Sequence, residues 1–388
     1  MRALSIHAGP GALVHIRQHG LSPGDVAAVP AAAGGPKGLV LNPLDRFIFG
    51  RWLTQTDHTV HLLGASIGAW RMATACLADN DAAFAQLASD YIGQRYDHAP
   101  GKSPTARHVS ERFGATLAER FGDREDEVLG HPRYRLHVFT SRGRHLLGRQ
   151  GRWRTPLGYA GAFVANAISR RAMGRWLERV VFSDPREPLP WPMDDFPTRQ
   201  VALDAGNLQP SILASCSIPF WLDAVHDIPG APLGAYWDGG ITDYHLHLPY
   251  GRLRGPVDMA SGAHSARSGA STGVALAATE LASGRSSLVL YPHFQATVVP
   301  GWLDKNWRRR HRATPALDNL VLLAPTAEWA ATLPHGKIPD RGDFKRYGDD
   351  LASRVTDWTR AVQESHRLAD EFEQWLAGRL HIEVRPLR

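Results

Sequence analysis

The chain has 388 residues, of which 43% are hydrophobic and 21% are charged, a composition that fits a folded globular protein and excludes a disordered one. Lys and Arg number 44 against 38 Asp and Glu, and the resulting net charge of +6 favours anionic partners such as phospholipid headgroups or acidic substrates. We expect no nucleic-acid partner, because no recognisable nucleic-acid module accompanies this charge, and no apolar stretch approaches the roughly 20 residues that span a bilayer.

The first 80 residues alternate between helix and strand patterns. Residues 1–7 lack the apolar segment of a signal peptide, so we expect no Sec export. A short helix is predicted over residues 10–22, followed by a strand over 26–33 and, after a Gly-rich loop, a helix over 39–52. The next strand, over 58–63, leads through a tight turn into another helix. This order predicts an α/β fold with a mainly parallel central sheet flanked by helices.

The middle of the chain mixes charged and apolar patterns. Residues 81–130 are predicted to be helical, and residues 134–141 alternate as a strand does. Residues 159–182 form a long basic, amphipathic segment. A Pro-rich connection over 185–197 separates that segment from a short strand over 201–203.

The C-terminal third contains two strand patterns, over residues 287–291 and 320–323, and a long helix pattern over 351–380 that we expect to pack outside the sheet. Residues 255–271 are small and polar, which predicts a mobile loop. No linker forces a division of the chain. We therefore predict a single domain over residues 1–388.

Two cysteines, Cys76 and Cys216, lie in apolar stretches of the sequence. They do not supply a disulfide framework, and their surroundings indicate small buried side chains rather than reactive thiols. Because free thiols suit a reducing compartment, we expect a cytoplasmic protein.

The segment Gly64-Ala65-Ser66-Ile67-Gly68 has the form G-x-S-x-G and lies between a strand and a helix. This arrangement is typical of the nucleophile elbow of serine hydrolases, in which glycines beside the serine admit a tight turn. The N-terminus of the following helix favours negative charge near the serine, where an oxyanion would form. An ordinary Gly-rich turn with a capping serine gives the same pentapeptide, so the segment alone leaves both interpretations open.

A second Gly-rich loop, Gly34-Gly35-Pro36-Lys37-Gly38, connects the first strand to its helix. The backbone N–H groups of consecutive glycines can converge on an anion. Pro36 has no N–H group, so Gly34 and Gly35 are the candidate oxyanion donors. A phosphate-binding loop is an alternative, but the spacing G-x-x-x-x-G-K-[ST] is absent, and a Gly-rich helix cap is another.

The third segment of interest, Trp237-Asp238-Gly239-Gly240, follows a short strand pattern. A carboxylate at a strand end beside two glycines lies on a tight, exposed turn, from which it could reach another loop. Taken alone, D-G-G indicates only a turn.

In this order the three segments resemble the patatin-like phospholipase family, whose motifs are G-G-x-[R/K]-G, G-x-S-x-G and D-G-[G/A]. Residues 213–220 are also similar to the family segment A-S-x-A-x-P-x-x-F, which precedes the catalytic aspartate. The resemblance covers residues 26 to 250, whereas residues 251–388 carry no family motif. Two positions depart from the family pattern: Ala33 replaces a third glycine, and Lys37 replaces the commoner arginine.

The resemblance implies a three-layer α/β/α fold and a Ser–Asp dyad that hydrolyses the acyl esters of lipids, as phospholipases and lipases do. Ser66 would be the nucleophile and Asp238 its general base, with Gly34 and Gly35 forming the oxyanion hole. The supporting loop residues would be Lys37, Gly38, Gly64, Gly68, Gly239 and Gly240. The expected partner is a lipid or other ester substrate, and no cofactor or metal is expected.

A Ser-Asp-His triad of the α/β-hydrolase type is the first alternative. Its chain order would be Ser66, an acid and a later histidine, for which His245, His247 and His381 are candidates. His245 and His247 alternate as on a strand, which would place both rings on one face, where they could also be two ligands of a metal.

A non-catalytic protein that binds membrane surfaces through a hydrolase scaffold is the second alternative. Residues 159–182 and 302–312 both combine Trp with Arg, the composition expected where a surface meets anionic headgroups. The same pattern fits a solvated helix face whose apolar side belongs to the core. Peripheral contact with an anionic membrane is compatible with catalysis as well.

Overall fold

In the computed structural model, the structure describes residues 1–98, 103–253 and 287–388. These residues form eleven strands around which helices are arranged. The strands are β1 (Leu4–Ala8), β2 (Val26–Ala31), β3 (Val60–Ala65), β4 (Tyr134–Gly143), β5 (Leu177–Ser183), β6 (Thr198–Ala202), β7 (Val225–His226), β8 (Ala235–Asp238), β9 (Leu288–Pro292), β10 (Leu320–Pro325) and β11 (Val384–Pro386).

The helices differ widely in length. Those of the described residues are α1 (Pro10–His19), α2 (Asn42–Phe47), α3 (Ile67–Ala75), α4 (Asn80–Gly93), α5 (Ala106–Phe121), α6 (Glu125–Gly130), α7 (Arg154–Ile168), α8 (Arg170–Met173), α9 (Leu208–Cys216), α10 (Gly240–Asp243), α11 (Ala327–Ala330), α12 (Gly342–Tyr347), α13 (Leu351–Glu364) and α14 (His366–Leu376). None of the helices in these ranges is long and apolar enough to cross a membrane.

The strands join in one mixed sheet in the order β11-β1-β10-β9-β2-β3-β4-β5-β6, with β8 pairing β4 and β7. The five neighbours from β10 to β4 are mutually parallel. Antiparallel pairs join β1 to β10 and β4 to both β5 and β8. The predicted α/β fold, with a mainly parallel central sheet flanked by helices, is therefore confirmed.

The central strands are buried because helices cover the sheet. Every residue of β3 is buried, and β2, β9 and β10 are nearly as inaccessible. Parallel strands covered on both faces consist of continuous apolar runs rather than alternating ones. These apolar runs are what made β2, β3, β9 and β10 predictable from the sequence.

The register of the strands brings distant segments to one point. Ala31 of β2 pairs with Gly64 of β3, so the loops after these two strands leave the sheet side by side. Ala65 pairs with Phe139 of β4, and the next β4 residue, Thr140, pairs with Asp238 of β8. The residue after Ala65 and the carboxylate at the end of β8 therefore become neighbours.

Several predicted elements differ from the structure. The helix expected over residues 351–380 is two helices, α13 and α14, which meet at Ser365. Residues 39–52 combine the end of a 3₁₀ helix, Gly35–Leu41, with α2 and a π-helical turn, Ile48–Trp52. The loop expected over 255–271 lies outside the described residues.

The basic segment over residues 159–182 is not one amphipathic element. It comprises most of α7, the short helix α8 and nearly all of strand β5. Glu178 and Arg179 in β5 suggested a solvated surface, but both are buried because they have ion-pair partners. Arg179 binds Asp243 and Asp195, and Glu178 binds Arg142.

A buried ion pair joins the helices that follow the two Gly-rich loops. Arg71 on α3 donates two hydrogen bonds of 2.7 Å to the carboxylate of Asp45 on α2, and both side chains are almost fully buried. Two charges in a poorly solvated site depend on each other, because either one alone would lack compensation. The pair therefore fixes α2 against α3.

We predict that Asp45→Ala lowers the free energy of unfolding by about 3–5 kcal/mol, because the Arg71 guanidinium would remain buried without a counter-charge. Urea unfolding followed by circular dichroism measures the loss. Asp81→Ala is the matched control, since Asp81 receives two 2.7 Å bonds from Arg46 in an exposed pair. We expect it to cost less than about 1 kcal/mol. Equal losses in the two variants would contradict the role assigned to burial.

Candidate active site

Ser66 lies at a sharp turn between β3 and α3. Its backbone has φ 56° and ψ −129°, a conformation that non-glycine residues rarely adopt and that is strained by about 1–3 kcal/mol. A Cβ atom on Gly68 would lie 1.9 Å from the carbonyl oxygen of Ala31, and one on Gly64 would lie 2.3 Å from Cα of Ala69. The predicted elbow is therefore present, and both flanking positions require glycine.

Ser66 and Asp238 are joined directly. The Ser66 hydroxyl Oγ donates a hydrogen bond of 2.7 Å to Oδ2 of Asp238, and both side chains are buried. The other carboxylate oxygen, Oδ1, accepts a 2.7 Å bond from the backbone N–H of Gly240. The two interactions fix the carboxylate with one oxygen directed at the serine.

The turn that carries Asp238 is packed too closely for larger residues. A Cβ atom on Gly239 would lie 2.0 Å from the carbonyl oxygen of Phe139, and one on Gly240 would lie 2.5 Å from Cβ of Ala33. The contact with Gly240 shows how the chain accommodates Ala33: its methyl group occupies the space that a glycine at position 240 leaves free.

The short helix α10 anchors this turn from its far end. Asp243, fully buried, accepts a 2.8 Å hydrogen bond from Nε of Arg179 and also contacts Arg170. Because Arg179 belongs to β5 in the sheet, the turn after Asp238 is tied to the sheet by charge as well as by packing.

Ser215, on α9, connects the nucleophile to the sheet, and sequence reasoning assigned it no role. Its hydroxyl accepts a 2.8 Å hydrogen bond from the backbone N–H of Ser66 and donates one of 2.6 Å to the carbonyl oxygen of Phe139. The carbonyl group of Ser215 accepts from the N–H of Gly239 at 3.1 Å. Ser215 lies within the family-like segment over residues 213–220, which was the available signal.

The loop from Gly34 to Gly38 lies against both parts of the dyad. Gly35 has φ 57°, a left-handed conformation that favours glycine, and a Cβ atom on Gly34 would lie 2.6 Å from the ring of Phe294. Gly38 packs against α3, because its Cβ position is 3.3 Å from Cγ1 of Ile67. Among the described residues, none accepts a hydrogen bond from the N–H of Gly34 or Gly35, whereas the N–H of Ala33 is bound to the carbonyl of Tyr244 at 2.9 Å.

The electrostatic environment makes Asp238 a stronger base. Burial raises the pKa of its carboxyl group above the ordinary value, while the positive charge of Arg341 and the hydrogen bond from Ser66 oppose the rise. Lys37, Lys305 and Arg341 surround the site, and of these only Lys37 was singled out from the sequence. Lys305 and Arg341 belong to the third of the chain without a recognisable motif, where no local pattern indicates a role.

The candidate histidines lie elsewhere in the structure. His245 and His247 do not sit on a strand as their alternation suggested, because Leu246 between them has φ 44°. The ring of His245 is buried against Tyr244, its Nδ1 accepts a 3.0 Å bond from the N–H of Val299, and burial lowers its pKa. In the part of the chain that the structure describes, no histidine hydrogen-bonds to Ser66 or Asp238, and no three His, Cys, Asp or Glu side chains form a metal-binding group.

The remaining histidine candidate and the two cysteines also have defined surroundings. His381 is exposed, close to the C-terminal strand β11. Cys76 and Cys216 are free and buried as predicted. Burial raises the pKa of both thiols, which disfavours the reactive thiolate.

No protein-family model matches the chain, and no curated protein matches it. The assignment of a function therefore depends on the chemistry of the site itself.

Proposed function

We propose that the protein is a serine-dependent carboxylic ester hydrolase that cleaves acyl esters of lipids. The observation that carries the proposal is the 2.7 Å hydrogen bond from the Ser66 hydroxyl to the buried carboxylate of Asp238. A serine in a strained elbow, bonded to a carboxylate and close to free backbone N–H groups, has the parts that acyl transfer requires. The resemblance of the three motifs to patatin-like phospholipases supports the lipid as substrate.

Each step of the proposed reaction uses one of these groups. As Oγ of Ser66 attacks the ester carbonyl carbon, Oδ2 of Asp238 accepts the hydroxyl proton. The N–H groups of Gly34 and Gly35 stabilise the oxyanion that develops on the carbonyl oxygen. Asp238 then gives its proton to the leaving alcohol, and an acyl ester remains on Ser66.

Water completes the cycle by reversing these roles. Asp238 accepts a proton from the attacking water, the oxyanion forms again in the same place, and the proton returns to Ser66 as the carboxylic acid leaves. The N–H of Gly240 holds the carboxylate in position throughout. No step needs a cofactor or a metal. The buried free thiols are consistent with the cytoplasmic location that forms part of the proposal.

We predict that Ser66→Ala and Asp238→Asn each lower kcat/KM for p-nitrophenyl butyrate by roughly 10⁴-fold or more, because each removes a group that acts in the transition state. A fluorophosphonate probe should label the wild type and not Ser66→Ala. His381→Ala and His247→Gln test the triad alternative, and near-normal turnover in both is expected.

Two results would count against the dyad. Near-normal hydrolysis by folded Ser66→Ala would remove the nucleophile from the proposal. Retained labelling with lost turnover in a histidine variant would favour a triad in place of the Ser–Asp pair.

We further predict that kcat/KM falls as the pH decreases through the pKa of Asp238, because the protonated carboxyl cannot accept the serine proton. Burial places this pKa above the ordinary value, so activity should fall at a higher pH than an exposed aspartate would give. Arg341→Gln removes a charge that opposes the rise, so the fall should move to still higher pH. Lys345→Gln, at an exposed lysine on α12, is the control. A pH profile unchanged by Arg341→Gln would contradict the assignment of the base.

Peripheral binding to an anionic membrane is the second candidate function, and the exposed face of α7 favours it. Leu157 and Ile168 on this helix, and Trp153 just before it, are 60%, 78% and 70% exposed. Their spacing of 4 and 11 residues places them on one face. Large apolar side chains that gather on one face mark an interaction surface.

The two Trp- and Arg-containing segments of the sequence meet at this face. Arg310 donates a 2.8 Å hydrogen bond to the carbonyl of Asn166 near the end of α7, which brings the exposed Trp302 and Trp307 to the same region. The ring of exposed Phe220 contacts Tyr159 on α7. Six exposed arginines accompany the apolar groups and would attract anionic headgroups: Arg152, Arg154, Arg171, Arg175, Arg308 and Arg309.

We predict that Leu157→Ser combined with Ile168→Ser reduces co-sedimentation with phosphatidylglycerol vesicles by roughly 10-fold or more, because it removes two apolar groups from the bilayer contact. Binding of the wild type to pure phosphatidylcholine vesicles should be weaker. Val14→Ser, which removes a half-exposed valine from α1, is the matched control. Equal binding by all three proteins would show that this face does not contact lipid, whatever the esterase activity.

A further inference from the structure

Three cationic side chains converge on the proposed oxyanion loop. Lys37 belongs to the loop itself. Nε of Arg341 lies 3.4 Å from the point that a Cβ atom on Gly35 would occupy, so the guanidinium rests directly against one of the proposed oxyanion donors. The hydroxyl of Tyr91 lies 3.3 Å from the same point, on the loop's outer side with Arg341.

Lys305 is held on the side of the dyad by Tyr244. Its Nζ lies 4.1 Å from the centre of the Tyr244 ring, a cation–π contact. The edge of that ring is 3.3 Å from the Cβ position of Gly240, and the carbonyl of Tyr244 binds the N–H of Ala33. Tyr244 therefore connects Lys305 to both the oxyanion loop and the turn of Asp238.

The positive charge at this place is not neutralised by the protein. Within the described ranges, Lys37, Lys305 and Arg341 form no ion pair closer than the limit of 4.0 Å, and the nearby Asp340 and Asp343 are bound to Lys337 at 2.9 and 2.7 Å. Asp238 is occupied by Ser66 and Gly240.

The cations also affect one another. The Lys305 side chain retains contact with solvent, yet the surrounding protein and then the charges of Arg341 and Lys37 lower its pKa. Burial likewise lowers the pKa of Lys37, with Asp340 acting against it. An anion bound between these groups would relieve their repulsion.

We propose that Lys305 and Arg341, together with Lys37, bind an anionic group of the substrate beside the scissile ester. Phosphate and carboxylate share the required chemistry, since each accepts charge-assisted hydrogen bonds from an arginine fork and from lysine ammonium groups. The proposal rests on the ester hydrolase function. It adds that residues without a recognisable motif determine which esters are cleaved.

Short esters that stay in solution separate this proposal from membrane effects. Monobutyrin is neutral, and 1-butyrylglycerol 3-phosphate carries the anion on the alcohol side of the same ester. For an anion on the acyl side, 4-nitrophenyl hemiglutarate is compared with 4-nitrophenyl butyrate. We expect the wild type to prefer the anionic member of at least one pair by about 10-fold or more in kcat/KM, mainly through KM. The preferred pair shows whether the alcohol or the acyl carries the anion.

Lys305→Met and Arg341→Met should each reduce this preference ratio by about 10-fold, and added salt should reduce it in the wild type. Lys345→Met, at an exposed lysine of α12, should leave the ratio unchanged. Comparing ratios cancels any general loss of folded enzyme or any shift in the base.

Two outcomes would overturn the proposal. A wild type without preference in either pair would show that no anion is bound. Equal losses on neutral and anionic esters in Lys305→Met and Arg341→Met would show that these cations stabilise the oxyanion and not a substrate group. In both cases fluorophosphonate labelling of Ser66 and turnover of the neutral esters would persist, whereas failure of the hydrolase function would abolish them.

Discussion

The hydrogen bond between Ser66 and Asp238 joins residues 172 positions apart, and most of the surrounding architecture keeps it short. The strand register brings Ala65 and Asp238 next to consecutive residues of β4. Contacts with no room for a Cβ atom then press the elbow and the aspartate turn against the sheet. Ser215 completes the arrangement, because one hydroxyl holds the backbone of Ser66 and the end of β4 together. Little in the dyad's geometry is left to side-chain flexibility alone.

Charge is treated differently in the core and at the site. In the core, Arg71 binds Asp45 and Arg179 binds Asp243, so each buried charge has a partner and fixes one element on another. At the site, a buried carboxylate is used for the serine, and nearby cations are left without carboxylate partners in the described ranges. A protein that compensates its charges so fully elsewhere leaves this region with a net positive charge. This contrast is the physical basis for assigning an anionic ligand to it.

The sequence predicted the features that have a local signature. Buried parallel strands are continuous apolar runs, and a Gly-flanked serine between strand and helix is recognisable over a few residues, so β2, β3 and the elbow were foreseen. Ser215, Lys305 and Arg341 act through contacts across the fold, which no neighbouring residues announce. Strand β5 was misassigned because Glu178 and Arg179 have the polarity of a surface, although distant partners allow them to be buried.

The position of β1 has a consequence for synthesis on the ribosome. This strand pairs with β10 on one side and β11 on the other, and the N–H groups of Ala3 and Leu4 bind the carboxylate of Glu371. All these partners are translated more than 300 residues after β1. The earliest segment of the chain therefore waits with unpaired backbone groups while the ribosome completes the rest, which exposes the nascent chain to aggregation. Closure of the sheet is a post-translational event, and a trigger-factor-like chaperone would find its natural substrate in that interval.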